Sequence, residues 1–414
     1  MKTTLLALAT LAIASVAFAQ SAPPPAVAST PAAPSSLQDA ITGGKVSLNV
    51  RLRYEHVAQD NALADADALT IRTRLGYKTA PYNGLTAYME VQNTTAIVDD
   101  YAFPGGTGSQ SPAVTSIVAD PDVTDVSQAW LAYTHGKTTG TVGRQNLVLD
   151  NARFVGNVAW RQNYQTFDSV VLKDTTFDKL SLTYGYLWGI NRIFGDIAAA
   201  QPDYDSDSHI FNASYSGLPF GTLTGYAYLL DFDNAAANST ATYGLSFAGS
   251  RPLTDDLKLL YRAEYATQSD YGSSALNYTT DYYLAELGLG LKKYSFSVGY
   301  EVLGSDNGQG FRTPLATLHA FNGWADVFLN TPGSGLTDLY LKATATLPYD
   351  LSFTAFYHRF ESDVGGVTYG DEIDLQLTYK FNKQLSFLAK AAFYNADAFS
   401  VDTNKFSLQA DFAF

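Results

Sequence analysis

The sequence predicts an all-β chain that closes into a transmembrane antiparallel β-barrel of about eighteen strands, with short periplasmic turns and long extracellular loops. Three observations predict it. Apolar and polar residues alternate with a period of two from Lys45 to Phe414. The connections between these runs are short and long in turn, as in outer-membrane barrels. The first residues carry an export pattern.

The export pattern starts with Met1 and Lys2, continues through the apolar run Leu5 to Phe18, and ends in Ala17-Phe18-Ala19. Cleavage after Ala19 is expected, so 1–19 reads as a signal peptide. The run is shorter than the ~20 residues that a membrane-anchoring helix needs. A mean hydropathy of -0.07 also suits a barrel, because only alternate residues must be apolar. Aromatic residues make up 14% of the chain, with 28 Tyr and 24 Phe, and this richness suits strands and membrane boundaries. The absence of cysteine excludes disulfides, thiolate metal sites and thiol nucleophiles. A formal charge of -14 argues against nucleic acid as a partner.

Residues 20–44 read as a Pro/Ala-rich periplasmic linker, extended around Pro23-Pro24-Pro25. One helical turn is expected at 36–41, before Gly43-Gly44. The barrel takes 45–414. In its first segment Val46, Leu48, Val50, Leu52 and Tyr54 alternate with Ser47, Asn49, Arg51, Arg53 and Glu55. In the second, Leu69, Ile71, Thr73, Leu75 and Tyr77 alternate with Thr70, Arg72, Arg74, Gly76 and Lys78. Such runs predict strands at 45–56, 69–78, 85–93, 125–134, 138–147, 166–173, 179–187, 208–216 and 221–231. The second half adds 241–249, 256–268, 281–291, 294–303, 336–347, 351–360, 369–379, 384–394 and 405–414. The patterning is weakest near 138, 166 and 208.

After even-numbered strands the connections are short, as at His135-Gly136-Lys137 and Lys292-Lys293. After odd-numbered strands they are mostly long: 94–124, 148–165, 188–207, 269–280 and 304–335. A soluble β-sandwich has no reason to alternate in this way. Tyr54, Tyr77, Tyr133, Tyr184, Tyr186, Tyr215, Tyr265, Tyr300 and Tyr379 fall near strand ends on the apolar face, which suits the membrane–water boundary. The last strand points Phe406, Leu408, Ala410, Phe412 and Phe414 one way and Lys405, Ser407, Gln409 and Asp411 the other. Its terminal Phe414 resembles the signal read by the barrel insertion machinery, and outer-membrane lipids are the expected surroundings of the apolar face.

If the apolar set faces lipid, the polar set lines the lumen. Arg51, Arg53, Arg72 and Arg74 share the polar faces of adjacent strands, Arg144 follows on the fifth, and Arg153 and Arg161 sit in the loop after it. Glu90, Asp168, Arg262 and Glu264 complete the expected pore lining. A wall of arginine favours anionic solutes; equally, these arginines can pair with inward carboxylates and brace the barrel. The acidic stretch with Asp99, Asp100, Asp120, Asp122 and Asp125 fits no defined Ca²⁺ motif and reads as a solvated loop. No metal or cofactor is expected.

Two blocks are not explained by strand geometry. One runs from Gly143-Arg144-Gln145 through Arg153 to Trp160-Arg161-Gln162 and Phe167-Asp168; the other is Gly310 to Asp326, with Arg312, His319, Phe321, Asn322, Trp324 and Asp326. These blocks resemble the alginate-export family of outer-membrane barrels. The resemblance implies an eighteen-stranded monomer with a charged constriction and loops that limit access. It also implies an arginine-rich electropositive pore, to which Arg72, Arg74, Arg144, Arg153 and Arg161 correspond. In the long 304–335 loop the six residues from Arg312 to Asp326 are the expected gate, or a sugar-stacking surface.

The expected function is therefore an outer-membrane channel of a Gram-negative cell, passing hydrophilic, anionic or sugar-like solutes passively. A general or carboxylate-selective uptake porin is the alternative, with a barrel enzyme or adhesin behind it. His56, His135, His209, His319 and His358 sit in no catalytic pattern, and no HExxH, GxSxG or GxxxxGK[ST] occurs. No enzyme is expected.

Overall fold

The computed structural model describes residues 34–195 and 203–414. The predicted signal peptide and most of the predicted linker lie outside the described residues. Pro34–Phe414 form one compact unit. It opens with the expected helical turn, Leu37–Thr42, whose N-cap Ser36 accepts a hydrogen bond from the Asp39 amide through its side chain.

Eighteen antiparallel strands follow in a single sheet. They are β1 (Lys45–Gln59), β2 (Ala66–Lys78), β3 (Leu85–Asp100), β4 (Val123–His135), β5 (Thr138–Gln145) and β6 (Thr166–Asp174). Next come β7 (Leu180–Asn191), β8 (Tyr204–Leu218), β9 (Gly221–Leu230), β10 (Thr240–Pro252), β11 (Leu257–Asp270) and β12 (Thr279–Leu291). The last six are β13 (Tyr294–Leu303), β14 (Leu336–Thr346), β15 (Ser352–Glu361), β16 (Thr368–Lys380), β17 (Leu385–Ala396) and β18 (Thr403–Ala413). Each predicted strand is present. Several run further at the long-loop end, β3 to Asp100 rather than 93 and β8 from Tyr204 rather than 208. Those extensions rise beyond the apolar band, so neither face need be greasy and the alternation fades there.

Every strand pairs with its chain neighbours, and β1 pairs with β18 from Asn49↔Ala413 to Gln59↔Thr403. The closing ladder continues to the last residue, because the Leu48 and Phe414 amides each donate to the other's carbonyl at 3.0 and 2.8 Å. No edge is left, which a lipid phase demands of a sheet. Outside, Leu75, Leu131, Leu287, Phe296 and Leu341 are all more than half exposed, the reverse of a soluble surface. We expect Leu287→Arg, on the lipid face, to destabilise the folded barrel by ~2–4 kcal/mol in lipid. Thr354→Arg, on the inner face, costs much less; equal shifts in unfolding midpoint would contradict this sidedness.

Candidate functional site

Two long loops leave the outer end and enter the lumen. The 146–165 loop and the 304–335 loop meet through a parallel bridge between Val155 and Leu315. The Gly156 amide donates to the Leu315 carbonyl at 2.8 Å, and the Thr317 amide to that of Ala152 at 3.0 Å. The first loop crosses from wall to wall. At one side Phe154 packs against Tyr226, Tyr228 and Tyr282 of β9 and β12. At the other its carbonyls receive the arginines of β1 and β2. Arg51 donates to Ala159 and Trp160 at 3.0 and 3.2 Å, Arg53 to Trp160, and Arg74 to Gln162 at 3.0 Å.

This explains where the predicted arginine wall goes. Arg53, Arg72 and Arg153 are at most 2% exposed, and Arg161 is 6% exposed. Arg53, Arg153 and Arg161 brace loops rather than border open lumen, while Arg72 donates to Asn49 on β1. Arg53 lies 3.5 Å from Asp120, and Arg161 bonds Glu55 at 3.1 Å and Asp326 at 2.9 Å. Arg153 sits 2.8 Å from Glu301 and donates to Asn322 at 3.0 Å. Arg51 and Arg74 stay partly open, Arg51 beside Asp411 at 2.8 Å and Arg74 over the Tyr164 ring at 3.7 Å. Arg144 pairs with Asp168 at 2.9 Å, and Arg262 with Glu264 at 2.6 Å. Glu90 accepts from Tyr88 and Ser127, both at 2.8 Å, and from Tyr164. Asp120, read from sequence as part of a solvated loop, is fully buried and accepts the Gln162 amide at 2.7 Å.

The 304–335 loop packs against β14 to β18. Phe328 contacts Phe360, Tyr369 and Tyr394, while the Trp324 and Ala325 amides donate to Asp374 at 3.1 Å and Glu372 at 2.7 Å. Gly323, with φ of +86°, lets the chain pass so close that a Cβ would collide with the Glu372 carboxylate. Asn322 donates to Glu301 and Asp338 at 2.7 and 3.2 Å, and Phe321 faces the Arg153 guanidinium at 4.7 Å. Arg312 lies apart from these, donating to Gln309 at 2.6 Å.

His319 stacks on Trp160 at 4.4 Å, and its Nδ1 lies 2.7 Å from Asp326. Burial, with help from the positive charges of Lys390 and Arg161, holds His319 down to about 3 despite Asp326. The ring is neutral, so Nδ1–H donates to Asp326 and Nε2 accepts from Lys390 at 2.9 Å. Burial opposes the Asp326 charge, but His319, Lys405 and Arg161 outweigh it and keep its pKa well below the usual carboxylate range.

The 318–326 stretch borders two spaces. Outside it lies a vestibule of about 580 Å³ that reaches Gln59, Leu63, Pro104, His319 and Asp326. Deeper is a chamber of about 160 Å³ between Phe321 and Trp324 and the wall residues Arg262, Glu286, Tyr340 and Lys342. Toward the periplasmic end the inner faces carry Lys45, Lys78, Lys258 and Lys380, all exposed, and half-buried Lys342. Among the described residues none of these five forms an ion pair. Lys45 and Lys380 were missed in the sequence, although each shares the parity of inward residues on its strand.

Comparisons with known proteins fit this geometry. No curated protein matches the sequence. Among solved structures, Acinetobacter baumannii OccAB4 is 16% identical with a TM-score of 0.72, covering 90% of this chain and 98% of that one. The outer membrane protein OpdK of Pseudomonas aeruginosa is 13% identical with a TM-score of 0.71, covering 90% and 98%. OpdK crystallised with vanillate gives 14%, 0.71, and 90% and 99%. At these identities the likeness establishes the fold. The family model described as alginate export matches residues 45–310, more than half of the chain. The chain belongs to the alginate export family and is a Gram-negative outer-membrane channel barrel.

Proposed function

We propose that the barrel passes hydrophilic solutes passively, favouring anionic and sugar-like ones, with alginate-type uronate chains as the cargo that the family description suggests. The observation that carries this reading is the set of five inward, unpaired lysines on the periplasmic half, joined there by Arg51 and Arg74. Rings of one charge sign in a narrow, low-dielectric passage concentrate the opposite ion. The chamber supports sugar-like cargo through aromatic faces (Phe321, Trp324, Tyr340) beside carboxylates and amides (Glu286, Asn322). The pore lining is then Arg51, Arg74 and the lysines, while Arg53, Arg153 and Arg161 shape the loops that narrow the way.

Proteoliposome permeation tests it. Glucuronate is expected to enter faster than glucose, and glucose faster than glucosamine. Rates independent of charge would remove the anion preference, and failure of all three to enter would remove the channel itself. A second reading, uptake of small carboxylates, draws on the likeness to OpdK crystallised with vanillate. It predicts that an oligouronate is excluded while a monocarboxylate passes.

A further inference from the structure

Lys390 projects from β17 into the lumen and is 8% exposed. Its ammonium stands 4.2 Å from the ring centroid of Trp160 and 3.8 Å from that of Trp324. Nζ also lies 2.9 Å from His319 Nε2. Trp160 belongs to the 146–165 loop, Trp324 and His319 to the 304–335 loop, and His319 stacks on Trp160 within 9° of parallel. One wall cation thus engages both in-folded loops.

Among the described residues no carboxylate forms a salt bridge with Lys390. Taking a cation out of water costs a great deal unless something replaces its hydration. Here two indole faces and one imidazole lone pair, each attractive to a cation, help do so, with the more distant charges of Asp374 and Asp326. All three contacts are made only while both loops are seated. Removing either loop strands the ammonium, and removing the ammonium leaves two tryptophans facing an unfilled slot.

We propose that Lys390 is a positioning residue that couples the two loops, its ammonium shared by an aromatic cage of Trp160 and Trp324 that keeps the stretch between vestibule and chamber in place. This rests on the channel reading for its transport consequence, and on the cage geometry alone for its binding consequence.

The test uses the full-length protein with Lys390→Ala, in planar bilayers and in detergent. Single-channel conductance is expected to rise about twofold or more as the loops loosen around the passage. Propylammonium at millimolar concentration, which restores the missing carbons and charge, returns the conductance toward wild type, whereas 1-propanol does not. Lys390→Arg keeps wild-type conductance, because a guanidinium also stacks on indole. Intact folding is read from the heat-dependent shift in gel mobility. Wild-type conductance in Lys390→Ala overturns the proposal, and so does equal rescue by 1-propanol, which would reduce the lysine to a space filler. Should wild type and variants all fail to conduct, intrinsic tryptophan fluorescence still decides. Quenching by propylammonium in Lys390→Ala alone upholds the cage and removes the channel reading; no selective quenching removes the cage.

Discussion

Replacing Arg161 by methionine is expected to release the two inner loops while leaving the barrel closed. Its guanidinium bonds Glu55 at 3.1 and 3.2 Å and Asp326 at 2.9 Å, and lies 3.7 Å from Asp120. All four residues are buried or nearly so, and methionine has similar length without charge. Removing one partner of a buried ionic network strands the others, at a cost of ~3–5 kcal/mol. The cost falls on the loops, because Asp120, Arg161 and Asp326 all lie in connections, whereas closure depends on the β1–β18 ladder. We therefore expect faster proteolysis within 146–165 and 304–335, larger single-channel conductance, and an unchanged heat-dependent gel shift. Adding Glu55→Gln removes the carboxylate left without a close partner, since Arg53 stands 4.0 Å away, and restores part of the loss. Wild-type protease resistance and conductance in the single variant would contradict this account of the network.

Acid is expected to loosen the same loops, and His319 sets the window. Its ordinary value of 6.5 falls to about 3 in the seated loop, through burial and the charges of Lys390 and Arg161, against the pull of Asp326. Detached, the ring takes a proton near its ordinary value; seated, it refuses one until much lower pH. The detached state therefore binds more protons between these limits, and seating weakens as pH falls. The full contribution is present above about 6.5 and is lost progressively toward about 3, on the order of 5 kcal/mol in all. Conductance should rise across that window. In His319→Gln the amide can still donate to Asp326 and accept from Lys390 but cannot titrate, so this part of the acid response disappears. An identical acid response in the glutamine variant would assign it to other groups.

The strands were legible because a wall with lipid on one side and water on the other forces a period of two. Legibility failed where that constraint lapses. At Thr138–Gln145 two glycines interrupt the pattern, and the ends of β3 and β8 rise above the apolar band. The arginines of β1 and β2 were legible as inward residues by parity alone. Their burial was not, since it depends on a loop 88 to 109 residues away supplying the carbonyl acceptors of Ala159, Trp160 and Gln162. Asp120 misled for a related reason. Neighbouring aspartates make its segment look solvated, while the groups that bury it, Arg53, Arg161 and the Gln162 amide, come from elsewhere. Lys390 carries no local signal beyond its parity. The Trp160 and Trp324 blocks stood out in sequence as stretches without strand periodicity that resemble the alginate-export family, with Trp324 in the expected gate, but what they clasp required the fold.

The reversal potential of the reconstituted protein under a tenfold KCl gradient tests the central claim most directly. The five unpaired lumen lysines predict a potential displaced toward the chloride equilibrium value. That displacement should shrink as total salt rises and the screening length contracts, being ~10 Å at 0.1 M and ~3 Å at 1 M. Substituting Lys258 and Lys342 together by glutamate should move it toward the potassium side. A wild-type potential on the potassium side would contradict the proposed anion preference.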